Sequence, residues 1–116
     1  MKYETIDVKT ISECEAALGR NNPKELLYTA ISIGLYAENL EWAQTFLLML
    51  AAHHDETVPG NAILSFGHLA RRFGRLDKAR VSPVVTQAVL DSSEYVRGQT
   101  DACVDDINQF LGWGLA

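Results

Sequence analysis

Residues 91–112 read DSSEYVRGQTDACVDDINQFLG, and their spacing organises the rest of the chain. Val96, Thr100, Cys103, Ile107 and Leu111 step by three or four residues, which places one core-facing stripe on an α-helix. Displaced by 38 positions, the stretch lies over residues 53–74, HHDETVPGNAILSFGHLARRFG. Glu94 then meets Glu56, Val96 meets Val58, Gly98 meets Gly60, Ile107 meets Leu69, Leu111 meets Phe73 and Gly112 meets Gly74. Self-similarity at such a period, between two helical segments, is the mark of a stacked repeat whose units hide their apolar faces against each other.

The 116 residues fit one domain, 1–116, and a chain of this size buries roughly two-thirds of its unfolded surface. With 47% apolar and 22% charged residues it has the material for a core and is not a disordered chain. Cys14 and Cys103 are far apart, and Cys103 lies on the core stripe, so both are expected as reduced, packed thiols. The first ten residues, MKYETIDVKT, contain no signal-like apolar run, and the longest apolar run, 46–52, is too short to span a bilayer. A cytoplasmic location, without membrane contact, is the expectation. The formal charge of -5 argues against nucleic acid as direct ligand and favours a basic partner.

An arm, 1–9, carries Tyr3, Ile6 and Val8, which are expected to pack on the first helix. Thr10 and Glu13 form a capping-box pattern, so the first helix runs from Ile11 to about Leu18 with Gly19 as its stop. Asn22-Pro23-Lys24-Glu25 starts a second, largely buried helix, and Asn39 caps a third that reaches about His53. Its tract FLLMLAA is apolar all round, as suits a helix between two neighbours. Pro59 opens a fourth helix that ends at Gly74, with Asn61, Ser65 and His68 as its expected polar face. After a basic connector, 75–80, Ser82-Pro83 starts a fifth helix. Its β-branched run leaves a strand open as the alternative over 81–90. The sixth helix is 93–111, and 112–116 form a terminal cap in which Trp113 covers the exposed end.

The sum is an all-α chain of about six helices in three antiparallel hairpins, with a clear boundary between residues 53 and 54. The segment VLDSSEYVRGQTDACVDDINQFLG resembles a HEAT repeat: an apolar helix end, an acidic turn, a Val-Arg pair and a second helix closing on Leu-Gly. Leu90, Asp91, Glu94, Val96, Arg97, Ala102, Ile107, Leu111 and Gly112 carry the likeness. In the preceding unit Glu56, Val58, Ala62, Gly67, Leu69 and Gly74 match, while Pro59 stands where the family has a basic residue. The resemblance covers about half the chain well, and it implies a short right-handed α-solenoid that binds another protein.

Catalytic signals are thin. His53-His54-Asp55 with His68 could be drawn as a metal site, but adjacent side chains at a helix end diverge and no third ligand has the right spacing. A structural role near a helix C-terminus, bonding to free carbonyls, is the plainer reading. Asp101 and Asp105 share a helix face without a nucleophile or phosphate loop beside them. No enzyme activity, metal or cofactor is expected.

Charge is segregated instead. Asp91, Glu94, Asp101, Asp105 and Asp106 oppose Arg97 alone, whereas Arg71, Arg72, Arg75, Lys78 and Arg80 oppose Asp77. The two zones could neutralise each other, in which case the stripe is a solvated face. Read functionally, Asp101, Asp105 and Asn108, flanked by Asp106, Glu94 and Asp91, face a basic partner, with Arg71, Arg72 and Arg75 as a second candidate surface for phosphate or an acidic segment. Small acidic single-domain proteins of this kind are similar to bacterial immunity proteins and antitoxins, which cover a cationic toxin such as a nuclease. The alternatives are a structural or self-associating adaptor that uses Trp42 and Trp113, and a nucleic-acid-binding repeat protein that uses residues 71–80.

Overall fold

The computed structural model describes residues 6–116 as six α-helices: α1 (Ile11–Arg20), α2 (Pro23–Tyr36), α3 (Leu40–Leu50), α4 (Thr57–Phe73), α5 (Lys78–Ala88) and α6 (Glu94–Leu111). Among these residues there is no strand, and Tyr3 lies outside them. Local chemistry sets most of the boundaries. Thr10 and Glu13 close a reciprocal capping box at 3.1 Å in both directions. Asn22, Asn39 and Ser93 each accept the backbone N–H three residues on, with Pro23 following the first of them. Gly74 and Gly112 end α4 and α6 at φ of 68° and 65°, a left-handed conformation that costs glycine little.

Several boundaries depart from the expected ones. Gly19 lies inside α1, and Asn21, at φ 53°, makes the stop; asparagine tolerates the left-handed region, and Pro23 then restarts the chain at once. Helix α3 ends at Leu50 rather than His53. Helix α5 begins at Lys78, where the Asp77 carboxylate accepts the Arg80 N–H at 3.3 Å, so Pro83 sits inside the helix instead of opening it. Val81, Val85 and Ala88, buried at helical spacing, show why this β-branched run is a helix and not a strand.

The hairpin partners α1 and α2, α3 and α4, and α5 and α6 pack together, while α4 also packs between α2 and α6. Helix α3 bridges to α2 and α5. The residues from Val58 to Ile63 are all buried, which turns every face of that part of α4 toward protein. Such enclosure overturns the expected polar face of α4. Asn61 and Ser65 are 3% and 0% exposed, because neighbours stand on both sides. Their polar atoms are satisfied there: Ser65 Oγ donates to the Ala30 carbonyl at 2.7 Å, and Asn61 Nδ2 donates to the Thr57 carbonyl and to Tyr95 Oη, each at 2.7 Å. Arg72 completes the α2–α4 junction by donating to the Gly34 and Ala37 carbonyls at 2.9 and 2.6 Å, where the end of α2 leaves acceptors unpaired.

Close approach at these seams requires small residues. A Cβ on Gly34 would stand 2.6 Å from Ser65 Oγ and 2.7 Å from Ser65 Cβ. Gly34→Ala is therefore expected to destabilise the fold by about 1–3 kcal/mol, the usual cost of overpacking. A shift of the urea midpoint to lower concentration at unchanged slope checks it; an unchanged midpoint would mean that α2 and α4 separate freely.

Candidate partner-binding surface

The apolar stripe of α6, Val96, Thr100, Cys103, Val104 and Ile107, is buried, and this fixes which residues of the helix look outward. Glu94, Asp101 and Asp105 are exposed, separated by about two turns and one turn along α6. Gly98 lies between them with open space above its Cα. Helix α6 is the last helix, and among the described residues its main neighbours are α4 and α5, which pack on its buried stripe and leave these acids exposed.

The other residues expected on the surface are engaged locally. Asp91 Oδ1 accepts the Ser93 N–H at 2.8 Å, and the Asp91 carbonyl accepts from Arg97 at 2.7 Å, which makes this residue part of the turn into α6. Asn108 pairs with the backbone of Leu115 in both directions, at 2.8 and 2.7 Å, and holds the C-terminal segment against the end of the helix. Asp106 is half-buried above Gly67 of α4, where a Cβ would come within 2.9 Å of its Oδ2.

Two arginines of the basic zone are engaged away from this face. Arg80 turns to Glu41 and Thr45 of α3, both at 2.8 Å, and Arg72 is occupied by the α2 carbonyls. Among the described residues, no ion pair joins the segment 71–80 to the segment 91–106. Arg71 and Arg75 are exposed, and Lys78 places its ammonium 5.7 Å from the ring centre of Trp113, which packs against the core. Trp42 is half-buried and packs against Phe46, with ring centres 5.2 Å apart.

The histidines take structural positions. His53 Nδ1 accepts the Asp55 N–H at 3.0 Å and its Nε2 lies 2.8 Å from Asn21 Oδ1, so its bonds go to the turn and to the end of α1, not to the free carbonyls of its own helix. No three His, Cys, Asp or Glu side chains converge on a metal position among the described residues. Cys14 and Cys103 are free and buried, and burial pushes the Cys103 thiol up to about 12, so it stays protonated at neutral pH. No described helix is long and apolar enough to cross a membrane.

Tyr95 is a surface residue that sequence periodicity passes over. It is 39% exposed at the start of α6, beside Glu94, with its hydroxyl held by Asn61. No local signal marks it, because Gly60, which makes room for the ring, lies 35 positions earlier on α4.

No family model matches the chain, and no curated protein matches it. The fold does have a solved counterpart. A chain in the crystal structure of a CDI complex from Cupriavidus taiwanensis LMG 19424 superposes with a TM-score of 0.81 at 25% identity. The match covers 95% of this chain and 97% of that one, so it extends over the whole arrangement of helices.

His68, half-buried on α4, supplies a test of the surface electrostatics. Its Nδ1 is buried without a hydrogen bond. Burial and then the nearby Arg71 lower its pKa from 6.5, against the opposing pull of Asp106. With the folded value below the unfolded one, the unfolded chain binds more protons between the two. The stabilising effect of neutral His68 is thus complete above about pH 6.5 and declines as the pH falls through that value. Chemical denaturation at a series of pH values should show a shallower acid-side decline for His68→Gln than for the wild type; parallel curves would contradict this origin.

Proposed function

We propose that this chain is the immunity component of a contact-dependent inhibition pair, a non-enzymatic cytoplasmic protein that binds and occludes a toxin domain. The observation that carries the reading is the likeness, over nearly the full length of both chains, to a component of a CDI complex. The exposed acidic face of α6 supports a more specific version: Glu94, Asp101 and Asp105 stand where they would meet the basic groups of a nuclease-like toxin. An acidic protein would gain association rate and specificity from such a contact. Occlusion rather than chemistry is the mechanism, because the carboxylates would sit where the toxin's basic groups otherwise hold phosphates. Asp106, Asn108 and Asp91 would border the contact by fixing the ends and inner edge of α6. Arg71 and Arg75 form a separate surface for an acidic element of the same partner. Nucleic acid and membrane are not proposed as ligands.

The test is affinity capture from the native host with the wild type and with Asp101→Lys/Asp105→Lys, followed by neutralisation assays on the retained protein. The reading expects one basic toxin, held and silenced by the wild type, with affinity reduced at least tenfold by the charge reversal. A captured toxin that both forms neutralise equally would remove the acidic face from the mechanism. Absence of any toxin partner would remove the immunity reading itself.

A further inference from the structure

The α4–α6 seam spends a buried polar side chain on an exposed ring. Asn61, 3% exposed, gives one amide N–H to the Thr57 carbonyl and another to Tyr95 Oη, and its Oδ1 accepts from Gln99 at 3.4 Å. Beneath the ring, the missing side chain of Gly60 makes room: a Cβ there would meet Tyr95 Cε1 at 2.6 Å and Cδ1 at 2.9 Å. One side of the ring is seated on backbone and its hydroxyl is tethered, while 39% of the residue remains open to solvent. A tyrosine held in this manner loses little freedom when a partner covers it, which is the property of an interface anchor.

The surrounding charge selects the kind of partner. Glu94 precedes Tyr95 and is exposed. Glu56, also exposed, is drawn to the same end of the seam by the bond from Ser93 Oγ to its Oε2 at 2.9 Å. The base nearest in sequence, Arg97, is turned away to the Asp91 carbonyl. A fixed, part-exposed aromatic ring on the acidic end of the seam, with no cation stacked on it among the described residues, complements a planar guanidinium better than a compact, strongly hydrated ammonium.

We propose that Tyr95, seated on Gly60 and tethered by Asn61, is an arginine-accepting anchor of the partner interface, with Glu94 and Glu56 as the flanking carboxylates. This assignment rests on the immunity reading for its biological meaning, but its chemistry is tested without the toxin. The isotopically labelled full chain is titrated with a short neutral-backbone peptide bearing one arginine, and with its lysine counterpart, while amide and tyrosine ring resonances are followed. The arginine peptide should shift the Tyr95 ring and the Gly60 amide and bind about fivefold more tightly than the lysine peptide. Tyr95→Leu should abolish that preference, and Asp101→Lys/Asp105→Lys should retain it. Equal binding of both peptides, shifts confined to the Asp101–Asp105 region, or an unchanged preference in Tyr95→Leu would overturn the anchor. The Tyr95→Leu spectrum outside the seam reports whether the variant is folded, and Gly60→Ala, which displaces the ring while keeping it, should weaken arginine binding as an independent check. Failure here with a toxin still captured would leave the immunity reading standing; success with no toxin captured would leave the subsite without that reading.

Discussion

Enclosure of α4 is the constraint on which the rest of the structure depends. A helix with neighbours on α2, α3 and α6 must present apolar or satisfied side chains in nearly every direction, and the backbone must come close where it crosses them. Gly34 against Ser65, Gly60 against Tyr95 and Gly67 against Cys103 and Asp106 supply the close approach. Ser65 and Asn61 supply satisfied polar contacts at two of these seams, and Arg72 closes the end of α2. Since the interior is close-packed, these contacts also fix where α6 stands relative to α2.

That placement leads directly to the surface. Helix α6 buries one stripe against α4 and α5, and among the described residues Glu94, Asp101 and Asp105 on its other side are exposed. Among the described residues the carboxylates on that face form no ion pair with the basic segment, three members of which are engaged elsewhere: Arg80 with α3, Arg72 with α2 and Lys78 with Trp113. An exposed acidic face in a chain of net charge -5 creates a negative field that extends beyond contact distance. Next to it the clamp of Asn108 on Leu115 and the seating of Tyr95 on Gly60 stiffen both ends of α6. The surface is thus carried by a helix rather than by a loop.

Much of this was legible in the residues themselves. Thr10 with Glu13, Asn22 before Pro23, Asn39, Gly74 and Gly112 mark helix ends through local hydrogen bonding and backbone freedom, and short-range chemistry of this kind is readable without the fold. The start of α5 was obscured because Pro83 resembles a helix opener while the modest Asp77 cap does not stand out. Asn61 and Ser65 read in the sequence as a polar face because their partners, Tyr95 and the Ala30 carbonyl, are about 35 residues away, beyond any local pattern. The same distance hid Tyr95 as a surface feature, since its orientation is set by Gly60 across the seam. Asp101 and Asp105 were recognisable as one face, but only the placement of α6 leaves that face uncovered.

The central claim is that the outward face of α6 receives a protein partner. Hydrogen exchange of the chain, alone and in complex with a toxin it neutralises, tests this most directly. Added protection should concentrate in residues 91–112 and at the start of α4, with little change in α1. Protection centred on α1 to α3, with 91–112 exchanging as in the free chain, would contradict the account.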